Sequence, residues 1–162
     1  MTVPVPPAPI TVLGTGTAND TPPRGPGESL LPAGTALVVG ARRHLDALSA
    51  HLPPSARRIV LGPLAPALDA IAEHRADPEA GPVVVLASGD PGFFGITRAL
   101  ADRFGPGSLR VHPAVPSVAA AFARVGLPGD DAVVVSAHGR DLRTAVNVCR
   151  AHRKVAVLTA PG

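Results

Sequence analysis

The stretch Val83-Val84-Val85-Leu86-Ala87-Ser88-Gly89-Asp90-Pro91-Gly92-Phe93-Phe94-Gly95 passes from an unbroken apolar run, through a glycine-dense turn, to a helical pattern that starts near Gly95. A strand that is apolar throughout, with no alternation, is covered on both faces, and that is the signature of a parallel sheet. Working outward, six more short runs read as strands: Ile10 to Leu13, Ala36 to Val39, Arg58 to Leu61, Leu109 to Val111, Ala132 to Ser136 and Val155 to Leu158. Stripes at helical spacing lie between them, at Leu64, Leu68 and Ile71, at Ile96, Leu100 and Phe104, at Val118, Phe122 and Val125, and at Leu142, Val146 and Cys149. Each stripe is expected to face a core. Strands alternating with helices predict an α/β fold, a mostly parallel sheet with helices on both faces.

The chain has 162 residues and fits one domain over 1–162, with 46% hydrophobic residues to fill a core. No apolar run approaches the roughly 18 residues of a membrane span, so no membrane role is expected. Met1 to Pro9 carries neither a basic start nor an apolar signal core, and the single cysteine, Cys149, cannot form an internal disulfide. Both features point to the cytoplasm. Cys149 shares its helical pattern with Leu142, Ala145 and Val146 and is expected to be a small buried residue. The basic side holds fourteen Arg and one Lys against twelve acids, a net charge of only +3. With no Trp, no Tyr and four Phe, there are few stacking platforms, and nucleic acid is not an expected partner.

In open α/β sheets ligands bind beyond the carboxyl ends of the strands, so the loops there carry the chemistry. After the first strand, Gly14-Thr15-Gly16-Thr17 opens like a dinucleotide fingerprint, but the third glycine of G-x-G-x-x-G falls at Asn19 and prolines follow in place of a helix. A nicotinamide cofactor is not expected. A phosphate-binding loop needs a lysine after its glycines, and the only lysine, Lys154, opens a strand. The six histidines, at 44, 51, 74, 112, 138 and 152, form no metal-binding pair with each other or with cysteine, so no metal site is expected and most read as surface or helix-end residues. Thr17 to Gly34, with Pro22, Pro23, Pro26 and Pro32, reads as a loop, either a plain surface loop or a lid. The turn around Asp90 has two readings on spacing alone, a tight turn or a set of exposed amides that hold a carboxylate beside apolar Phe93 and Phe94.

Ser88-Gly89-Asp90-Pro91 followed by Phe94-Gly95 resembles the G-D-P motif of the tetrapyrrole methylase family. Ala36-Leu37-Val38-Val39-Gly40-Ala41-Arg42-Arg43-His44-Leu45, Pro116-Ser117-Val118 with Ala119 to Gly126, and Ser136-Ala137-His138-Gly139-Arg140 resemble further blocks of the same family, in the same order. They are similar to the branch that methylates carbon 5 of a precorrin or cobalt-precorrin. The likeness runs from Ile10 to Thr159, with departures at Thr17, where related enzymes often have proline, and in the proline-rich segment.

The resemblance implies an S-adenosylmethionine-dependent C-methyltransferase of cobalamin biosynthesis that yields S-adenosylhomocysteine and takes a precorrin or corrinoid substrate. It implies two α/β domains with the cofactor between them, a homodimer, and a second domain largely beyond Gly162, so that this chain is the family's N-terminal part. Carried over by motif, Thr17, Ser88, Gly89, Asp90, Phe93, Pro116, Ser117 and Thr159 are the expected cofactor contacts. Precorrins bear acetate and propionate groups, which suit arginine, so Arg140 and also Arg42 are candidates for the substrate side, each weighed against a solvated surface charge. His138 is a candidate to accept a proton or orient substrate. Two alternatives stay open: a methylase of another ring position, and a non-catalytic α/β binding domain.

Overall fold

The computed structural model describes residues 8–16 and 31–159. The chain divides into two compact units, Met1–Pro116 and Ser117–Gly162. The first holds a five-stranded sheet of β1 (Ile10–Thr15), β2 (Leu37–Gly40), β3 (Arg57–Val60), β4 (Val83–Ser88) and β5 (Leu109–His112), in the order β3-β2-β4-β1-β5. Every pairing is parallel, with Val12 opposite both Val85 and Val111 at the centre.

Successive side chains of a strand point to opposite faces, so an unbroken apolar strand feeds two cores. On one face Ile10, Val12, Leu37, Val39, Val83 and Val85 pack against Ala67 and Ile71 of α2 (Leu64–Ala76) and Leu100 of α3 (Thr97–Phe104). On the other, Leu13, Val38, Val84 and Leu86 meet Leu45 of α1 (Arg42–Ala47) and Leu48 and Leu52 beyond it. Each fully buried Val, Leu or Ile contributes about 1.5–3 kcal/mol relative to exposure, so these two layers supply the main stabilisation of the unit. The expected α/β architecture, with helices on both faces of a parallel sheet, is what this unit has. The edge strand β3 places Arg57 and Arg58 in solvent, where charge discourages further strand pairing.

The second unit contains α4 (Ser117–Val125), β6 (Val133–Ser136), α5 (Leu142–Ala151) and β7 (Val155–Leu158). β6 and β7 pair in parallel, with Val133 opposite Val155 and Ser136 opposite Leu158. Asp141 caps α5 by accepting the Arg143 amide at 2.9 Å. Lys154 pairs with Asp131 and donates to the Pro128 carbonyl at 3.0 Å, pinning the turn before β6.

Expectations about three helix faces are corrected. The α5 stripe is not core: Leu142 is 63% exposed, and Val146 and Cys149 are exposed as well. α5 instead buries Ala145, whose small side chain sits 2% exposed, and the apolar stripe lies on the adjoining face. In α4, Val125 is exposed and no residue is fully buried; in α2, Leu64 at the first turn is exposed while Ile71 is buried. The α3 stripe of Ile96, Leu100 and Phe104 faces the core as expected.

Candidate functional site

β1 and β4 lie side by side, and the chain leaves their carboxyl ends toward opposite edges of the sheet, from β1 to β2 and from β4 to β5. Ligands of open α/β sheets bind at such reversals. Here three loops are tied together by backbone hydrogen bonds. The Gly89 amide donates to the Thr15 carbonyl at 2.6 Å, and the Ala114 amide donates to the Gly89 carbonyl at 3.1 Å. Gly89 takes φ 57°, a left-handed conformation that glycine adopts without a Cβ penalty. Gly14 has no room for any side chain: a Cβ there would stand 2.0 Å from the Gly89 carbonyl oxygen and 2.7 Å from the Ala114 nitrogen. Gly14 is therefore a point of close backbone approach, and what approaches is the Gly89 turn.

Asp90 organises that turn. Its Oδ1 accepts the Gly92 amide at 2.8 Å, and its carbonyl accepts the Phe93 amide at 3.0 Å. Phe93 and Phe94 stack edge to face, with ring centroids 4.9 Å apart. Phe94 holds φ 54° although it is not glycine, and its side chain is 49% exposed. A bulky residue in that region costs roughly 1–3 kcal/mol and is found most often at ligand sites.

Ser88, the last residue of β4, is held from α1. Arg43 Nη2 donates to Ser88 Oγ at 2.9 Å, and His44 Nε2 lies 3.1 Å from the same oxygen. His44 is only 3% exposed, and its Nδ1 has no hydrogen-bond partner among the described residues. Burial pushes the imidazole pKa below its ordinary value, and the neighbouring Arg43 charge pushes it the same way, so the ring is held neutral. The sequence reading counted most histidines as surface residues and did not single out this one. In Arg42-Arg43-His44-Leu45 the side chain after the second arginine turns inward, toward a serine 44 positions away in sequence.

Of the other expected site residues, Thr17 lies outside the described residues, as do most positions of the proline-rich loop. Gly89 is buried, while Pro116 is half-buried at the end of the first unit. In the second unit, Ser117 and Thr159 line one open groove of about 480 Å³ with Phe122, Val125, Val155 and Val157. His138 and Arg140 are exposed on the loop between β6 and α5, where the His138 amide donates to Ser136 Oγ at 3.3 Å. No group of three or more His, Cys, Asp or Glu side chains that could hold a metal ion occurs among the described residues, and no helix there is long and apolar enough to cross a membrane.

Two features, one within each unit, have the character of ligand-binding surfaces. A mostly apolar groove with two hydroxyl-bearing residues has the usual size of a small-molecule site, roughly 300–1,000 Å³. Beside the Gly89 turn, the exposed Ser88 hydroxyl offers a polar contact of the kind that a carboxylate or ammonium group needs.

Residues 33–162 match the model of the Tetrapyrrole (Corrin/Porphyrin) Methylases. The chain belongs to that family. It is 38% identical over 126 residues to a precorrin-6Y C(5,15)-methyltransferase [decarboxylating] from Sinorhizobium sp, a match covering 78% of this chain and 29% of that protein. It is 34% identical over 122 residues to a cobalt-precorrin-7 C(5)-methyltransferase from Salmonella typhimurium, covering 75% of this chain and 57% of that protein. The chain thus spans under two thirds of the length of these relatives. In fold it is similar to the crystal structure of a cobalamin biosynthesis precorrin-6Y methylase from Archaeoglobus fulgidus, with TM-score 0.53 and 23% identity over 80% of this chain and 62% of that one.

Proposed function

We propose that this chain is part of an S-adenosylmethionine-dependent C-methyltransferase that methylates a precorrin, at carbon 5 of precorrin-7 or its cobalt form, in cobalamin biosynthesis. The observation that carries this reading is the junction of Gly14, Gly89 and Ala114 at the carboxyl ends of the central strands, in a chain with relatives named for methylation at carbon 5. We further assign it to the cytoplasm as a homodimer; the single cysteine suits the first and the family resemblance suggests the second.

Cofactor contacts fall to Ser88, Gly89, Asp90 and Phe93 at the turn after β4, to Pro116, and to Ser117 and Thr159 in the groove of the second unit, with Thr17 as a further assignment. The cofactor, when bound, would supply a sulfonium-activated methyl, open to attack by an electron-rich ring carbon with the neutral thioether as leaving group. Asp90 organises the turn, its Oδ1 accepting the Gly92 amide. Phe93 and Phe94 offer an apolar surface that excludes water. Arg140 pairs with substrate carboxylates, and His138, exposed beside it, accepts a proton or orients the substrate. Little acid–base chemistry is required; holding carbon and methyl in line is worth about 7–11 kcal/mol of the barrier.

The test is methyl transfer by the full-length protein from methyl-labelled S-adenosylmethionine to precorrin-7 and to cobalt-precorrin-7, with the methylated carbon located by carbon-13 magnetic resonance. Label at carbon 5 supports the reading. Label at another ring carbon replaces the assigned position, and absence of transfer to either substrate leaves a non-catalytic binding domain as the better account.

A further inference from the structure

The side-chain cluster behind the G-D-P turn has a hydrogen-bond arithmetic that the cofactor assignment does not use. Ser88 Oγ has one hydrogen to give and two lone pairs to receive. Arg43 fills one lone pair, at 2.9 Å. His44 Nε2 stands 3.1 Å away, and its other ring nitrogen is buried without a partner among the described residues. An orphaned buried N–H is rarer than an under-satisfied acceptor, so the ring proton belongs on Nε2, which donates to Ser88 and fills the second lone pair. With both lone pairs taken, the Ser88 hydroxyl hydrogen has nowhere to go but outward.

Arg43 adds charge to that outward donor. Its side chain is exposed on α1, it forms no ion pair with any carboxylate among the described residues, and the contact with Ser88 uses one of its five N–H groups. A fixed hydroxyl donor beside an unneutralised guanidinium suits an anionic oxygen, and the guanidinium fork suits a carboxylate best.

We propose that Arg43 and Ser88 form a carboxylate-binding subsite at the carboxyl end of β4, and that buried His44 is its positioning residue, forcing the serine to act as a donor. The proposal rests on the methylase reading for the source of the carboxylate, either the methionine end of the cofactor or an acetate or propionate of the tetrapyrrole. Arg42, next to it, is likewise exposed on α1.

Calorimetric titration of the chain and of its Arg43→Gln, His44→Leu and His44→Gln variants with three probes tests this. The probes are S-adenosylhomocysteine, 5′-methylthioadenosine, which keeps the nucleoside and lacks the carboxylate, and uroporphyrin I, a tetrapyrrole bearing acetates and propionates. Arg43→Gln and His44→Leu are expected to weaken one carboxylate-bearing probe by about tenfold, the scale of one charge-assisted hydrogen bond, and to leave 5′-methylthioadenosine unchanged. His44→Gln, whose amide nitrogen can replace Nε2 as donor, is expected to restore most of the affinity, which a packing role alone would not do. A loss confined to S-adenosylhomocysteine names the cofactor as source, and a loss confined to uroporphyrin names the substrate. Unchanged affinity in Arg43→Gln, which is exposed and fold-safe, or an equal loss for 5′-methylthioadenosine, overturns the subsite while the methylase reading stands. If neither the unmodified chain nor the full-length protein binds any of the three, that reading falls and the subsite with it.

Discussion

The Gly89 amide donates a 2.6 Å hydrogen bond to the carbonyl of Thr15, and Gly14, one residue earlier, faces the Gly89 carbonyl so closely that no Cβ would fit between them. The turn after β4 is thereby seated on the end of β1, and the Ala114 amide ties the loop after β5 to the same carbonyl. Three loops far apart in sequence share one small backbone junction.

Gly14→Ala therefore strikes the junction itself. Its Cβ would sit 2.0 Å from the Gly89 oxygen, a backbone atom that cannot swing aside. We expect a loss of about 1–3 kcal/mol in a denaturant melt, as for overpacking elsewhere, together with loss of S-adenosylhomocysteine binding. Unchanged stability and binding would mean that the loops are not locked in this way.

The state of His44 sets a pH dependence of stability. Burial, with Arg43 adding to it, lowers the folded pKa below the ordinary 6.5, so below that value the unfolded chain binds more protons than the folded one. The contribution of the neutral ring is intact above the unfolded pKa and is lost as pH falls from there toward the folded pKa. Acidifying from about pH 7.5 to about pH 5 is thus expected to lower the thermal midpoint more in the unmodified chain than in His44→Gln, where carboxylate effects are shared and cancel. Parallel midpoints across that range would contradict a buried neutral imidazole.

Phe94 is held at φ 54° with its ring half in solvent. Replacing it by glycine relieves a left-handed conformation that costs L-residues roughly 1–2 kcal/mol. Phe94→Gly is expected to leave the midpoint unchanged or raise it, where truncating a buried Phe would cost about 3–5 kcal/mol. A large drop would show that the ring carries packing the structure does not place there.

Leu100→Ala and Leu142→Ala separate two stripes that look alike in sequence. Leu100 is fully buried against the sheet, and its truncation should cost about 2–5 kcal/mol. Leu142 is exposed, and its truncation should stay within about 0.5 kcal/mol. Comparable losses in chemical denaturation would place Leu142 in a core after all.

The contrast between these two leucines shows what the sequence makes legible. Strands buried on both faces leave unbroken runs such as Val83 to Ala87, and all seven expected strands are present within a residue or two of their expected ends. Periodicity finds an apolar stripe on a helix but not whether that stripe is the one turned inward. In α5 the buried contact is made by Ala145, which any pattern weighted by size passes over. At the site, Gly14, Gly89 and Asp90 stood out because glycine and an Asp-Pro-Gly turn are conformational marks. His44 and Arg43 did not, because their role depends on a serine forty-four or so positions away that only the β2–β4 pairing brings near.

The most direct test of the central claim is calorimetric titration of this chain, and of the full-length protein, with S-adenosylhomocysteine, with NADH as the comparison ligand. Saturable binding of S-adenosylhomocysteine and none of NADH is the expected result. Failure of both proteins to bind S-adenosylhomocysteine would contradict the account and leave the fold without the proposed chemistry.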